Sequence, residues 1–214
     1  MTDVVVIGGG PAGLMAAIAA REAGASVVLL EKGDKLGRKL AISGGGRCNV
    51  TNAKPIPELM QHVLGNPKFL YSSFHRFSNQ DIIQFFERLG VRLKEEDRGR
   101  MFPVSDDART VVRAVIRYME QLGVKARLNT PVRRILAQDG RVTGVETGNR
   151  EIVPAAACVL ATGGASVPQT GSTGDGYRFA EALGHTVVPP YPTAVPLTSD
   201  HPRIRDRSLQ GLSL

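Results

Sequence analysis

Residues 4–7 form a continuous β-branched run, Val4, Val5, Val6 and Ile7, the pattern of a strand buried on both faces of a parallel sheet. A glycine-rich turn follows. Leu14, Met15, Ala17, Ile18 and Ala19 then make a compact helix of small residues that Gly24 stops. Residues 26–30 read as a second apolar strand, ending at Glu31. Strand, turn, helix and strand in so short a space have the size of a βαβ unit. Residues 33–52 are glycine-rich and polar, too irregular for a core element. Ser78, Asn79, Gln80 and Asp81 resemble a capping box ahead of Ile82, Ile83, Phe85, Phe86 and Leu89. A longer helix is predicted over 107–122, with Val111, Val112, Val115, Ile116, Met119 and Leu122 on one face.

After Gly123 the rhythm shortens to strands at 124–128, 132–137, 142–147 and 151–153, separated by Asp139-Gly140 and Gly148-Asn149. They read as a small antiparallel meander. Residues 155–161 form one more apolar strand, which runs into Thr162-Gly163-Gly164. Past Gly184 the chain is dense in proline (Pro189, Pro190, Pro192, Pro196), as a linker into another domain would be. The expected fold is α/β: a Rossmann-like domain with a largely parallel sheet plus an antiparallel β-meander. Residues 1–186 make up that domain, and 187–214 the linker and the start of an inserted second domain.

Composition changes little of this. Of 214 residues, 42% are apolar and 22% charged, ordinary for a globular chain and not for a disordered one. No apolar run approaches the roughly 20 residues of a membrane span, and the amino terminus enters its first strand without a basic leader. Cys48 and Cys158 lie far apart in sequence and read as thiols of a reducing cytoplasm, the expected location. The net charge of +7 raises the question of nucleic acid. Arg21, Arg76, Arg92, Arg113, Arg133 and Arg150 are scattered, without a basic block or interleaved aromatics. That argues for a basic surface that steers anionic cofactors, and against nucleic acid as a partner. His62, His75, His185 and His201 are isolated, and no metal site is expected.

The chemistry lies in Gly8-x-Gly10-x-x-Gly13. Gly8 permits the tight turn out of the strand, Gly10 lets the backbone approach a pyrophosphate, and Gly13 lets helix and strand pack closely. Helix N-terminal amides would face the phosphates. Glu31, at the end of the next strand, stands where a carboxylate would take ribose hydroxyls and repel the extra phosphate of NADP. Residues 37–52 then supply bare glycine amides, cationic side chains and short hydrogen-bonding side chains in one long loop. A dehydrogenase holding NAD has no need of that loop. A flavoprotein holding an extended, buried FAD does.

The fingerprint, the run 37–52, Gly99-Arg100-Met101-Phe102-Pro103 and the run 170–177 occur in this order in one family. The chain resembles the NAD(P)/FAD-dependent oxidoreductases that include aminoacetone oxidase and 3-dehydro-bile-acid Δ4,6-reductase. The resemblance implies a site in which Gly8, Gly10, Pro11, Ala12 and Gly13 cradle the pyrophosphate and Glu31 holds the adenosine ribose. It places Lys32, Arg38, Lys39, Ser43, Gly44, Gly45, Gly46, Arg47, Cys48, Asn49 and Thr51 along the diphosphate and flavin. Val132 would give backbone contacts to adenine. Ala161, Thr162, Gly163 and Gly164 would form a second glycine-rich crossing, and Asp175 would mark the flavin edge. Cys48 is expected to be structural or to touch the cofactor, since a redox pair needs a second thiol at short spacing.

Members of the family run to about twice this length, so part of the flavin site is expected outside this chain. The implied activity is hydride transfer between FAD and a small organic substrate. Either NAD(P)H reduces the flavin, which then reduces an enone, or an amine substrate reduces it. The catalytic residues are not identified. Two other readings stay open: a non-catalytic FAD-binding fragment, and a flavoprotein acting on tRNA.

Overall fold

The computed structural model describes residues 2–192 and 199–202. Its elements run β1 (Thr2–Ile7), α1 (Pro11–Glu22), β2 (Val27–Leu30), α2 (Arg38–Ile42), a 3₁₀ turn (Ser43–Gly46), β3 (Thr51–Asn52), α3 (Ile56–Gln61) and α4 (Tyr71–Arg76). They continue with α5 (Asn79–Arg88), β4 (Leu93–Glu96), β5 (Arg100–Pro103), α6 (Ala108–Gln121), β6 (Lys125–Arg127), β7 (Val132–Gln138), β8 (Arg141–Thr147), β9 (Ile152–Leu160) and α7 (Asp175–Ala182). One sheet has six strands in the order β6-β2-β1-β9-β8-β7, and a second has three in the order β3-β5-β4. The pairs β1–β2, β1–β9 and β2–β6 are parallel, whereas β9–β8 and β8–β7 are antiparallel. This is the expected α/β class with its largely parallel sheet.

The register of β1 explains both the core and the site. Alternate side chains of a strand point to opposite faces. Val6 enters a cluster with Leu14, Ala17 and Ile18 of α1, Leu29, and Val111, Val115 and Met119 of α6. Val5 and Ile7 enter another with Leu30, Val145, Val153 and Ala155. Both faces are therefore covered, which is why the first strand is apolar without alternation. Ile7 lies level with Leu30 on one side and with Leu160 on the other. The chain therefore leaves three neighbouring strands at one edge of the sheet, through Gly8, Glu31 and Ala161. In open α/β sheets ligands bind at that edge.

Local signals hold where they are strong. Ser78 caps α5 in a reciprocal box: its hydroxyl accepts from the Asp81 amide and the Asp81 carboxylate accepts from the Ser78 amide. Asp107 caps α6, accepting from the Arg109 amide at 2.8 Å.

Three expectations change. Residues 33–52 are not wholly irregular, since they contain α2, the 3₁₀ turn and β3. The strand expected at 124–128 does not belong to the meander: β6 pairs in parallel with β2, at the opposite edge of the sheet from β7. The two strands expected at 151–153 and 155–161 are a single strand, β9. Pro154 is tolerated because it stands where β9 ends its pairing with β8, opposite Gly144, and pairing with β1 resumes at Ala155. Of the expected linker and second domain at 187–214, residues 187–192 carry no helix or strand. Residues 193–198 and 203–214 lie outside the described residues.

Candidate functional site

At the edge where β1, β2 and β9 end, the chain encloses a cleft of about 840 Å³. Three glycines shape its floor in different ways. Gly8 has φ +109°, and a Cβ there would stand 2.5 Å from the Ala161 carbonyl oxygen. A Cβ on Gly13 would fall inside the van der Waals surface of the Gly8 carbonyl oxygen. Both are positions where backbone packs against backbone. Gly10 is the opposite: a Cβ there would meet nothing within 4 Å, because that side faces the open cleft.

Gly10 is also the N-cap of α1, with extended backbone and no side-chain cap. Leu14 makes the first intrahelical bond, donating to Gly10 at 2.9 Å. The amides of Ala12 and Gly13 precede it, at the positive end of a helix that Pro11 begins. Opposite them, the Glu31 carboxylate accepts from the Gly9 amide at 2.6 Å and the Gly33 amide at 2.7 Å. Those bonds fix its orientation and leave each oxygen a further lone pair for a hydroxyl. An uncapped helix end, a bare glycine and an oriented carboxylate fit a dinucleotide, with diphosphate at the first two and ribose at the third.

Cations close the cleft from one side. The Lys32 ammonium donates to Thr173 Oγ1 at 2.5 Å and to Asp175 Oδ2 at 2.7 Å. Lys39 donates to Ser172 Oγ at 2.7 Å and the Ser166 carbonyl at 3.1 Å. Segment 166–175 is thus strapped to segment 32–39 across the cleft wall. The Lys32 ammonium, with Thr173 and Arg178 adding to its effect, holds the Asp175 carboxyl below its ordinary value of 3.8. A carboxyl lowered in this way contributes to the strap above pH 3.8 and loses that contribution as pH falls through the lowered value. Release of a dinucleotide from this cleft is therefore expected to accelerate only below about pH 4. Asp175→Asn should bring the faster release to neutral pH. The recovery of flavin fluorescence after dilution, measured across pH, checks this, and identical rates for variant and wild type would contradict it.

The structure sorts the sequence-predicted residues into two groups. Gly8, Gly10, Pro11, Ala12, Glu31, Lys32, Arg38, Lys39, Val132, Ala161, Thr162, Gly163 and Asp175 line the cleft. Gly13 lies beneath it, and Gly164 accepts from the Gly174 amide at 3.1 Å, tying the second glycine-rich crossing to the start of α7. Ser43, Gly44, Gly45, Gly46, Arg47, Cys48, Asn49 and Thr51 do not line this cleft. Ser43 donates to the Leu40 carbonyl, and Thr51 pairs with Met101 in the second sheet. Arg47 stacks 4.2 Å above Phe102 and pairs with Glu96 and, at 2.6 Å, with Asp106.

Cys48 is fully buried and lines a separate apolar pocket of about 330 Å³ with Met15, Leu40, Val50, Phe85 and Phe86. Burial pushes its thiol up, and pushes that of Cys158 to about 11, so neither is poised as a thiolate. Sequence reasoning missed Thr130, Pro131, Ser172, Thr173 and Tyr177 as lining residues. The run 170–177 was the signal available for the last three. Among the described residues no cluster of His, Cys, Asp or Glu could hold a metal ion, and no helix is long and apolar enough to cross a membrane.

Comparison with known proteins places this geometry. The model of the family described as HI0933-like protein Rossmann domain matches residues 2–209. A ribosomal RNA dihydrouridine synthase of Haemophilus influenzae is 33% identical over 99% of this chain and 52% of its own length. A 3-dehydro-bile acid delta(4,6)-reductase of Clostridium scindens is 33% identical over 94% of this chain and 49% of its own. The chain thus spans about half the length of these curated relatives. Among solved structures, a flavocytochrome c3 fumarate reductase superposes with a TM-score of 0.61 at 25% identity, covering 86% of this chain and 41% of that one.

Proposed function

Because the chain belongs to the HI0933-like Rossmann family, we propose that it forms the FAD-binding part of a flavin-dependent oxidoreductase that saturates a C=C conjugated with a carbonyl. The observation that carries this reading is the uncapped start of α1, opening through Gly10 onto a cleft whose far side presents Glu31. In this reading the Ala12 and Gly13 amides meet the diphosphate and Glu31 meets the adenosine ribose. The Val132 backbone faces adenine, and Lys32, Arg38 and Lys39 flank the anionic centre. FAD held by these groups would supply hydride-transfer chemistry at its ring, with NAD(P)H as the reductant. The protein's own share is to orient the cofactor by the glycine turn and to shield it with the strap of residues 166–175.

The names of the relatives share one chemistry. Making dihydrouridine and reducing a delta(4,6) bond both add hydrogen across a C=C, and so does reducing fumarate. Within that class we take the uracil ring of an RNA as the substrate. Support comes from the Haemophilus relative, which aligns with nearly the whole chain. A second reading, a small apolar enone, is favoured by the apolar pocket around Cys48, which shares Pro11 and Ala12 with the cleft. The test is to incubate the FAD-loaded protein with NADPH and unmodified ribosomal RNA and to weigh the nucleosides by mass spectrometry. A gain of two hydrogens on uridine is expected. Unchanged uridine alongside reduction of a steroid enone would favour the second reading. Absence of any NADPH-dependent turnover would leave a cofactor-binding module.

A further inference from the structure

Two of the arginines that are scattered along the sequence, Arg133 and Arg150, meet in space together with Arg134. Glu146, on β8, has only 5% of its side chain exposed, and three guanidiniums converge on it. Arg133 reaches one carboxylate oxygen at 2.9 Å, Arg134 the other at 2.6 Å, and Arg150 approaches the first at 3.7 Å. Successive residues of a regular strand point to opposite faces, so Arg133 and Arg134 could not ordinarily share a partner. They do so here because the register of β7 on β8 shifts between Val132 and Arg134, an irregularity that re-aims a side chain. Glu151, beside Arg150, is already taken by Arg127.

One carboxylate holds three cations, so the cluster keeps an excess of positive charge. Its side chains are 49%, 64% and 71% exposed. A guanidinium carries five donors in a fixed fork, and the contacts to Glu146 use few of them. The remainder form an outward array of rigid donors around a buried anchor. Such an array matches phosphate oxygens, which accept from guanidinium forks in bidentate fashion.

We propose that Arg133, Arg134 and Arg150, held by Glu146, dock the phosphodiester backbone of RNA. This rests on the reading of RNA as substrate and extends it to a surface outside the cofactor cleft, although Val132, next in the chain, lines that cleft. Phosphate contacts position an RNA without reading its sequence, so binding should be tolerant of sequence and sensitive to salt.

The test measures affinity of the FAD-loaded protein for a fluorescein-labelled RNA hairpin with a uridine-containing loop, over a range of salt. Arg133→Gln/Arg134→Gln/Arg150→Gln is expected to bind at least about tenfold more weakly at moderate salt, with a log–log salt slope shallower by about 2. FAD uptake should be unchanged. Because the triple change could unfold the β7–β8 pair by leaving Glu146 unpaired, Arg150→Gln is measured beside it. That variant leaves the two closer guanidiniums in place and should reduce the slope by about 0.7. Wild-type slope and affinity in Arg150→Gln and in a folded triple variant would overturn this proposal and leave RNA as substrate intact. Absence of RNA binding by the wild-type protein would remove both. Loss of binding to phosphatidylglycerol vesicles in the triple variant, with RNA binding retained, would assign the cluster to a lipid surface and overturn it as well.

Discussion

Gly10→Val is expected to abolish FAD binding while leaving the protein folded. The backbone at Gly10 has φ −77°, open to any residue, and a Cβ there meets no atom within 4 Å. Nothing in the protein resists the valine, so the cost to folding is that of a poor N-cap, about 1 kcal/mol. For a chain of this size that lowers the unfolding midpoint by about 2–4 °C. The valine does, however, occupy the space through which a diphosphate must reach the Ala12 and Gly13 amides. Hydrogen bonds to a charged acceptor contribute about 1.5–3 kcal/mol each. Losing two of them weakens binding by about 3 kcal/mol or more, over a hundredfold. Calorimetric titration of the apo protein with FAD, beside a thermal melt, measures both halves. Wild-type affinity in the variant would place the phosphates elsewhere.

Gly13→Ala should do the reverse and fail as a fold first. A single methyl group there would overlap the Gly8 carbonyl oxygen, which is backbone and cannot swing aside. α1 must then move off the turn that follows β1, carrying Leu14, Ala17 and Ile18, which are at most 1% exposed in the core. Overpacking costs about 1–3 kcal/mol and occasionally more, and a rigid backbone neighbour puts this case at the upper end. At about 3 kcal/mol, the unfolding midpoint of the apo protein falls by about 6–12 °C. An unchanged apo midpoint would mean that helix and strand do not approach as closely as described. Together the two variants separate a glycine that leaves room for a ligand from one that leaves room for the protein itself.

That division was legible from spacing alone, because each glycine of the fingerprint answers a local geometric need. The same holds for the capping box at Ser78 and the buried face of α6, whose signals lie within one or two turns of helix. What was not legible depends on partners far away in the chain. β6 reads as a strand, but nothing in Lys125, Ala126 and Arg127 says that β2 is its neighbour. β4 contains Leu93, Lys94, Glu95 and Glu96, a charged stretch that pairs only because β5 lies beside it.

The loop around Arg47 has a cofactor-like composition, yet its cation is taken by Glu96 and Asp106, 49 and 59 residues further on. The straps from Lys32 and Lys39 likewise span 143 and 133 residues to reach Asp175 and Ser172. Composition marked these side chains as chemically active, but only the fold says which of them face the cleft. The arginine cluster on Glu146 is the sharpest example. Arg133 and Arg134 are neighbours whose side chains a regular strand would send to opposite faces, and a register shift turns both onto Glu146, 13 and 12 residues further on.

The central claim is that the open start of α1 receives the diphosphate of FAD. The most direct measurement is a visible difference spectrum recorded as FAD is added to the purified apo protein and, in parallel, to Gly10→Val. This account expects a saturable perturbation of the flavin bands at one FAD per wild-type chain, and none in the variant. A wild-type protein that leaves the flavin spectrum unperturbed, or a variant that perturbs it equally, would contradict the claim.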